Sequence, residues 1–195
     1  MCKVFLLFIV IFLCGCNRQE QGLSNPVVVN SINSICVLCE PVRNGSLENI
    51  ELDEYYLLDE RSPRNKQWIL GDSIAKYCNS DELAELATKH NSLAVRYVAF
   101  KLLLQKNSHE AVRILIDNIE CDDSIIAIHL DEGFPELLSS LRVDLVQRNR
   151  KQYNISLDDS IAVDEAVIKT KNKFKFQYYP ILQKRQQNHR IIRDR

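Results

Sequence analysis

Cys36-Val37-Leu38-Cys39 is the tightest cluster of reactive side-chain types in this chain of 195 residues. The C-x-x-C spacing is that of a dithiol redox centre, in which a helix N-terminus lowers the pKa of the leading thiol, and it is also half of a four-ligand zinc site. Here Val and Leu separate the thiols, Glu40-Pro41 closes the stretch, and no alternation of strands and helices surrounds it. Cys78 and Cys121 stand 43 positions apart, so they do not form the second close pair that zinc needs. In an oxidising compartment these four thiols are candidates for disulfides, Cys36 with Cys39 and Cys78 with Cys121.

The remaining chemistry-bearing residues are dispersed. Of His90, His109, His129 and His189, only His90 and His109 fall in neighbouring turns of one helical unit. The pairs Asp122-Asp123 and Asp158-Asp159 suit helix N-termini, where negative charge is favourable. No nucleophile, base and acid occur in a recognisable arrangement, and no glycine-rich phosphate loop is present. The sequence therefore assigns no catalytic residue, no metal, no cofactor and no small-molecule substrate, and the expectation is a protein that is not an enzyme.

The elements that must position these residues read as helices. Five Gly and five Pro leave few sharp turns, against a many-stranded sandwich or barrel. Ser62-Pro63 has the form of an N-cap followed by an N1 proline, and Ser80, Ser92 and Ser108 stand before further amphipathic runs. In LAVRYVAFKLLLQK, Val95, Val98, Ala99 and Leu102 fall at the i, i+3, i+4, i+7 spacing of a buried stripe. SIIAIHL, from Ser124, is open between a short strand and a helical turn. A helix is expected from about Phe134 to Gln147 with Pro135 in its first turn, and a last one after a capping signal at Ser156–Asp159.

Charge divides the chain. Residues 169–195 hold nine Lys/Arg and one acid, a balance of +8, and the other 168 residues carry −9. KFKFQYY in that basic tail alternates cations with aromatic rings, a pattern that suits nucleic-acid bases or a membrane interface, and docking on the acidic body or on lipid is preferred.

The N-terminus reads as an export leader: Lys3, an apolar run from Val4 to Leu13, then the small Gly15. The run is half the roughly 20 residues that a membrane-crossing helix needs. Leu13-Cys14-Gly15-Cys16 resembles the lipobox of bacterial lipoproteins. That resemblance implies cleavage before Cys16, acylation of Cys16, attachment to a membrane and a place in the cell envelope, with the outer membrane favoured because no Asp follows Cys16. Two or more acyl chains hold a protein stably at a bilayer.

Residues 80–123 resemble a HEAT repeat. Val95-Arg96, Ala99 and Leu102 match its second-helix pattern, and the resemblance implies that Arg96 engages an Asp or backbone carbonyls in a neighbouring turn. Small lipoproteins of the Bacteroidetes group are similar in joining a lipobox to such a helical body. Asp-Ser-Ile, at 72–74, 123–125 and 159–161, resembles the O-glycosylation acceptor of envelope proteins in that group.

The organisation expected is a leader over 1–15, a lipidated tether over 16–53, an all-α, HEAT-like superhelix of five to seven helices over 54–171, and a basic, partly disordered tail over 172–195. Its expected function is non-enzymatic protein binding in the envelope, with Arg96, Tyr97, Lys101 and Arg113 as candidate contacts and no nucleic-acid partner. An immunity or inhibitor lipoprotein acting on a periplasmic toxin or enzyme is the alternative, and C-x-x-C redox activity the third reading.

Overall fold

The computed structural model describes residues 22–41, 47–52, 63–129 and 132–170. The leader, Cys16 and the tail over 172–195 lie outside the described residues. Among the described residues the fold is all-α in character, with seven α-helices and one small three-stranded sheet.

Helix α1 (Pro26–Leu38) occupies part of the expected tether. Asn25-Pro26, which reads as a chain breaker, is a helix start: Asn25 accepts from the Val27 amide at 2.9 Å, and Pro26 sits in the first turn where its missing N–H costs nothing. Val28, Ser31 and Ile35 turn inward at helical spacing. The entry to α1 is pinned as well. A Cβ on Gly22 would lie 2.4 Å from the Tyr77 carbonyl oxygen and 2.9 Å from Cys78 Cα, an approach that only glycine permits. The next amide, of Leu23, donates to Glu82 Oε1 at 3.2 Å. The folded body therefore begins by residue 22, which corrects the expectation of a loose tether up to residue 53.

Strand β1 (Asn49–Glu51) runs parallel to β2 (Ser124–His129), and β3 (Glu132–Leu137) pairs with β2 antiparallel. SIIAIH is thus a strand. The helix expected from Phe134 starts later, at Leu138, because the preceding residues pair with β2, with Pro135 opposite Ile126. Ile126 directs its amide to Glu48 on the β1 side. Pro135 consequently turns its ring nitrogen away from β2, on an edge strand where no ladder donor is lost. The other edge is closed by the buried Gln67 side chain, which accepts from the Glu51 amide at 3.2 Å and donates to the Glu51 carbonyl at 3.3 Å.

The remaining helices are α2 (Lys66–Tyr77), α3 (Ser80–Lys89), α4 (Leu93–Lys106), α5 (Ser108–Asp117), α6 (Leu138–Arg148) and α7 (Leu157–Lys169). The helix expected to open at Ser62-Pro63 begins at Lys66, capped by Asn65. In Asn79-Ser80 and Asn107-Ser108 the asparagine is the cap and the serine the first helical residue. Asn79 also completes a capping box with Glu82. Ser92 and Ser156 cap as the sequence predicts. Helix α4 is the centre of the fold: ten of its fourteen residues are buried, and α1, α2, α3, α5 and α6 all pack on it. A helix buried all round needs apolar residues on every face, which is why its sequence continues as Phe100, Leu103 and Leu104 beyond the predicted stripe.

Candidate functional site

The thiols come first. Cys36, Cys39, Cys78 and Cys121 are free, so neither expected disulfide is formed. Cys36 lies in the last turn of α1 and Cys39 is its C-cap, the end whose dipole disfavours a thiolate. Burial pushes the Cys39 thiol up to about 12, with Glu48 adding to the effect, and its Sγ donates to Gln67 Oε1 at 3.4 Å. Burial also raises Cys36, and it raises Cys78 to about 11. This is the reverse of the activated thiolate a C-x-x-C redox centre uses. Cys121 Sγ donates to Asp123 Oδ2 at 3.0 Å, and that bond is the main cause holding the Asp123 carboxyl below the usual range.

The four candidate contact residues separate. Tyr97 is 5% exposed, its ring tilted 59° against Trp68 with centroids 6.4 Å apart, and burial pushes its hydroxyl up. Lys101 is 7% exposed, with Nζ 3.8 Å from the Trp68 ring centroid. Both are core residues in this conformation, unavailable to a partner. They sit beside the apolar stripe, but five other helices pack on α4 and cover them. Arg96 Nη1 is 2.7 Å from Asp123 Oδ2, a structural bond between α4 and the start of β2. Arg113 remains on the surface, held by Glu110 at 2.6 Å and facing Asp117 at 3.6 Å.

Beside that pair lies a group the sequence did not single out. Arg142, on α6, is 2% exposed and carries its charge into the core, where it is held by backbone carbonyls. Its Nη2 donates to the Ala87 carbonyl at 2.6 Å and to the Arg96 carbonyl at 3.1 Å, while Cζ stands 4.8 Å from the Phe100 ring centroid. Ala87 is in the last turn of α3, where carbonyls lack helical partners and a cation meets the negative dipole end. Burial, reinforced by Arg96, lowers Arg142 to about 9, so the guanidinium stays protonated at neutral pH. Its role is to fasten α6 to α3 and α4.

Among the described residues, one surface feature open to a ligand is a cleft of about 160 Å³ between the sheet and α6. Ala127, His129, Phe134 and Glu136 share one face of β2 and β3 by strand alternation, and Asp144 and Arg148 face them from α6. Phe134 is 54% exposed. Asp144 Oδ1 accepts from Arg148 Nε at 2.7 Å. Glu136 is raised above the ordinary carboxylate range, first by burial and second by the Asp144 charge. The cleft holds an exposed ring and two carboxylates, Asp144 already paired with Arg148, and a cationic side chain entering it would gain from the ring face and from Glu136.

His109 Nδ1 meets Asp159 Oδ1 at 2.8 Å, a surface pair that ties α5 to α7. Among the described residues no three His, Cys, Asp or Glu side chains are grouped to hold a metal ion, and no helix is long and apolar enough to cross a membrane. Of the three Asp-Ser-Ile sequences, the one in α7 has Ser160 fully inside, with no room for a glycan in the folded state. No protein-family model, no curated protein and no solved structure matches this chain.

Proposed function

We propose that this chain is a lipid-anchored, non-enzymatic protein of a bacterial cell envelope that binds another envelope protein through the cleft between the sheet and α6. The observation that carries the binding surface is the exposed Phe134 ring set beside Glu136 and Asp144. Its partner would present a Lys or Arg, with the flanking chain covering the ring. The anchor rests on Leu13-Cys14-Gly15-Cys16 at the end of an apolar leader.

A photoreactive amino acid placed at position 134, in cells carrying the full chain, tests the surface. Irradiation should yield one discrete adduct with an envelope protein from position 134 and none from position 113, which is exposed on α5. Equal adducts from both positions, or none from 134, would reject the cleft as the binding site.

A further inference from the structure

A second surface lies where the chain enters the fold. Residues 21–39 contain no Asp, Glu, Lys, Arg or His, although charged residues make up 26% of the chain. They include the whole of α1, whose outward side carries Val29 at 40% exposure and Val37 at 67%, among Asn30 and Asn33. Beside the α1 entry, Tyr77 is partly exposed and Lys76 Nζ lies 5.2 Å from its ring centroid. The rest of the body is acidic, and anionic headgroups would repel it.

The length of chain outside the structure decides what covers this face. From Cys16 to Gly22 there are six virtual bonds, which reach about 20 Å when fully extended. Gly22 cannot drift from its seat, because the Tyr77 carbonyl, Cys78 and Glu82 close around it. Acyl chains on Cys16 would then draw the Gly22 side of the domain down onto the bilayer. We propose that the uncharged face of α1, with Tyr77 and Lys76, is a lipid-contacting surface that lies in the headgroup layer. This rests on acylation of Cys16. The chemistry is that of an interfacial patch: small apolar side chains and amides without charge, an amphipathic Tyr, and a Lys that can extend to phosphate. The patch also fixes which way the cleft points, since the domain is held by its α1 side and not by a swinging tether.

The test uses the full lipidated chain reconstituted in vesicles of phosphatidylethanolamine and phosphatidylglycerol doped with a phospholipid carrying a diazirine near its headgroup. Insertion sites are mapped by mass spectrometry, and the acyl mass on Cys16 is read in the same sample. Several-fold more insertion in the α1 peptide and at Tyr77 than around Arg113 and Phe134 is the expected result. A Val29→Asp/Val37→Asp variant changes only exposed positions; it should keep its acyl group and lose the α1 insertion. An acylated Cys16 with insertion confined to residues 16–21, or spread evenly over the domain, overturns the patch and leaves the anchor standing. Absence of acyl mass on Cys16 overturns the anchor and the patch together.

Discussion

Replacing Arg142 with Met, Ala and Lys separates what a buried charge contributes from what its volume contributes. The side chain is 2% exposed and donates to two carbonyls, of Ala87 and Arg96. Arg142→Met keeps most of the buried stem and removes the charge. It forfeits two charge-assisted hydrogen bonds, about 1.5–3 kcal/mol each. It also escapes the penalty of burying a cation, which is several kcal/mol. These nearly cancel, so the Met variant should lie within about 2 kcal/mol of the parent. Arg142→Ala loses the same bonds and leaves a cavity in addition, which places it about 2–4 kcal/mol below Met. In urea, with a slope of about 2 kcal/mol/M, that gap moves the unfolding midpoint by about 1–2 M. Arg142→Lys keeps the charge, but a single ammonium replaces the planar fork that reaches both carbonyls, and it should be less stable than Met. Urea unfolding at neutral pH followed by circular dichroism gives the order. Full recovery of stability by Lys, or a Met variant no better than Ala, would refute the reasoning that packing outweighs charge here.

Gly22→Ala should unseat the N-terminal entry, since the new Cβ would meet the Tyr77 carbonyl; the Leu23 amide should lose hydrogen-exchange protection, whereas Ser24→Ala, at an exposed position, should not change it. Cys39 and Cys78, raised to about 12 and about 11, should resist iodoacetamide in the native protein and react on denaturation; rapid native alkylation of Cys39 would revive the redox reading. Because burial and Asp144 raise Glu136, the fold holds that proton more tightly than the unfolded chain does and loses stability as pH climbs from the unfolded carboxylate range through the raised value. Glu136→Gln should therefore raise the melting temperature at about pH 7, with the gain closing near pH 3; a gain independent of pH would contradict the sign.

Helix periodicity and the serine caps at Ser92 and Ser156 are legible in the sequence because an amphipathic run and its cap specify each other locally. Where Asn precedes Ser, the two cap almost equally well, so the boundary shifts by one residue without any sequence signal to decide it. Helix α1 was hidden because Asn25-Pro26 is equally a turn and a helix start, and only the inward set Val28, Ser31 and Ile35 distinguishes them. Strand β3 reads in the sequence as the front of a helix because Pro135 suits a first turn, whereas an edge strand tolerates it just as well. The burial of Tyr97 and Lys101 has no local sequence signal because the burial of α4 on all sides is a tertiary fact, set by five other helices. The same holds for the cleft. Ala127, Phe134 and Glu136 share a face only once the β2–β3 register is fixed, so no local pattern announces it.

The proposed envelope role depends most on what the mature chain carries at its start. Intact-mass measurement of the protein extracted from membranes reads this directly. A chain beginning at Cys16 with the added mass of two or three acyl groups is the result predicted, and the same preparation of a Cys16→Ser variant should lack that mass and leave the membrane fraction. A chain that begins at Met1, or that begins at Cys16 without added mass, would contradict it.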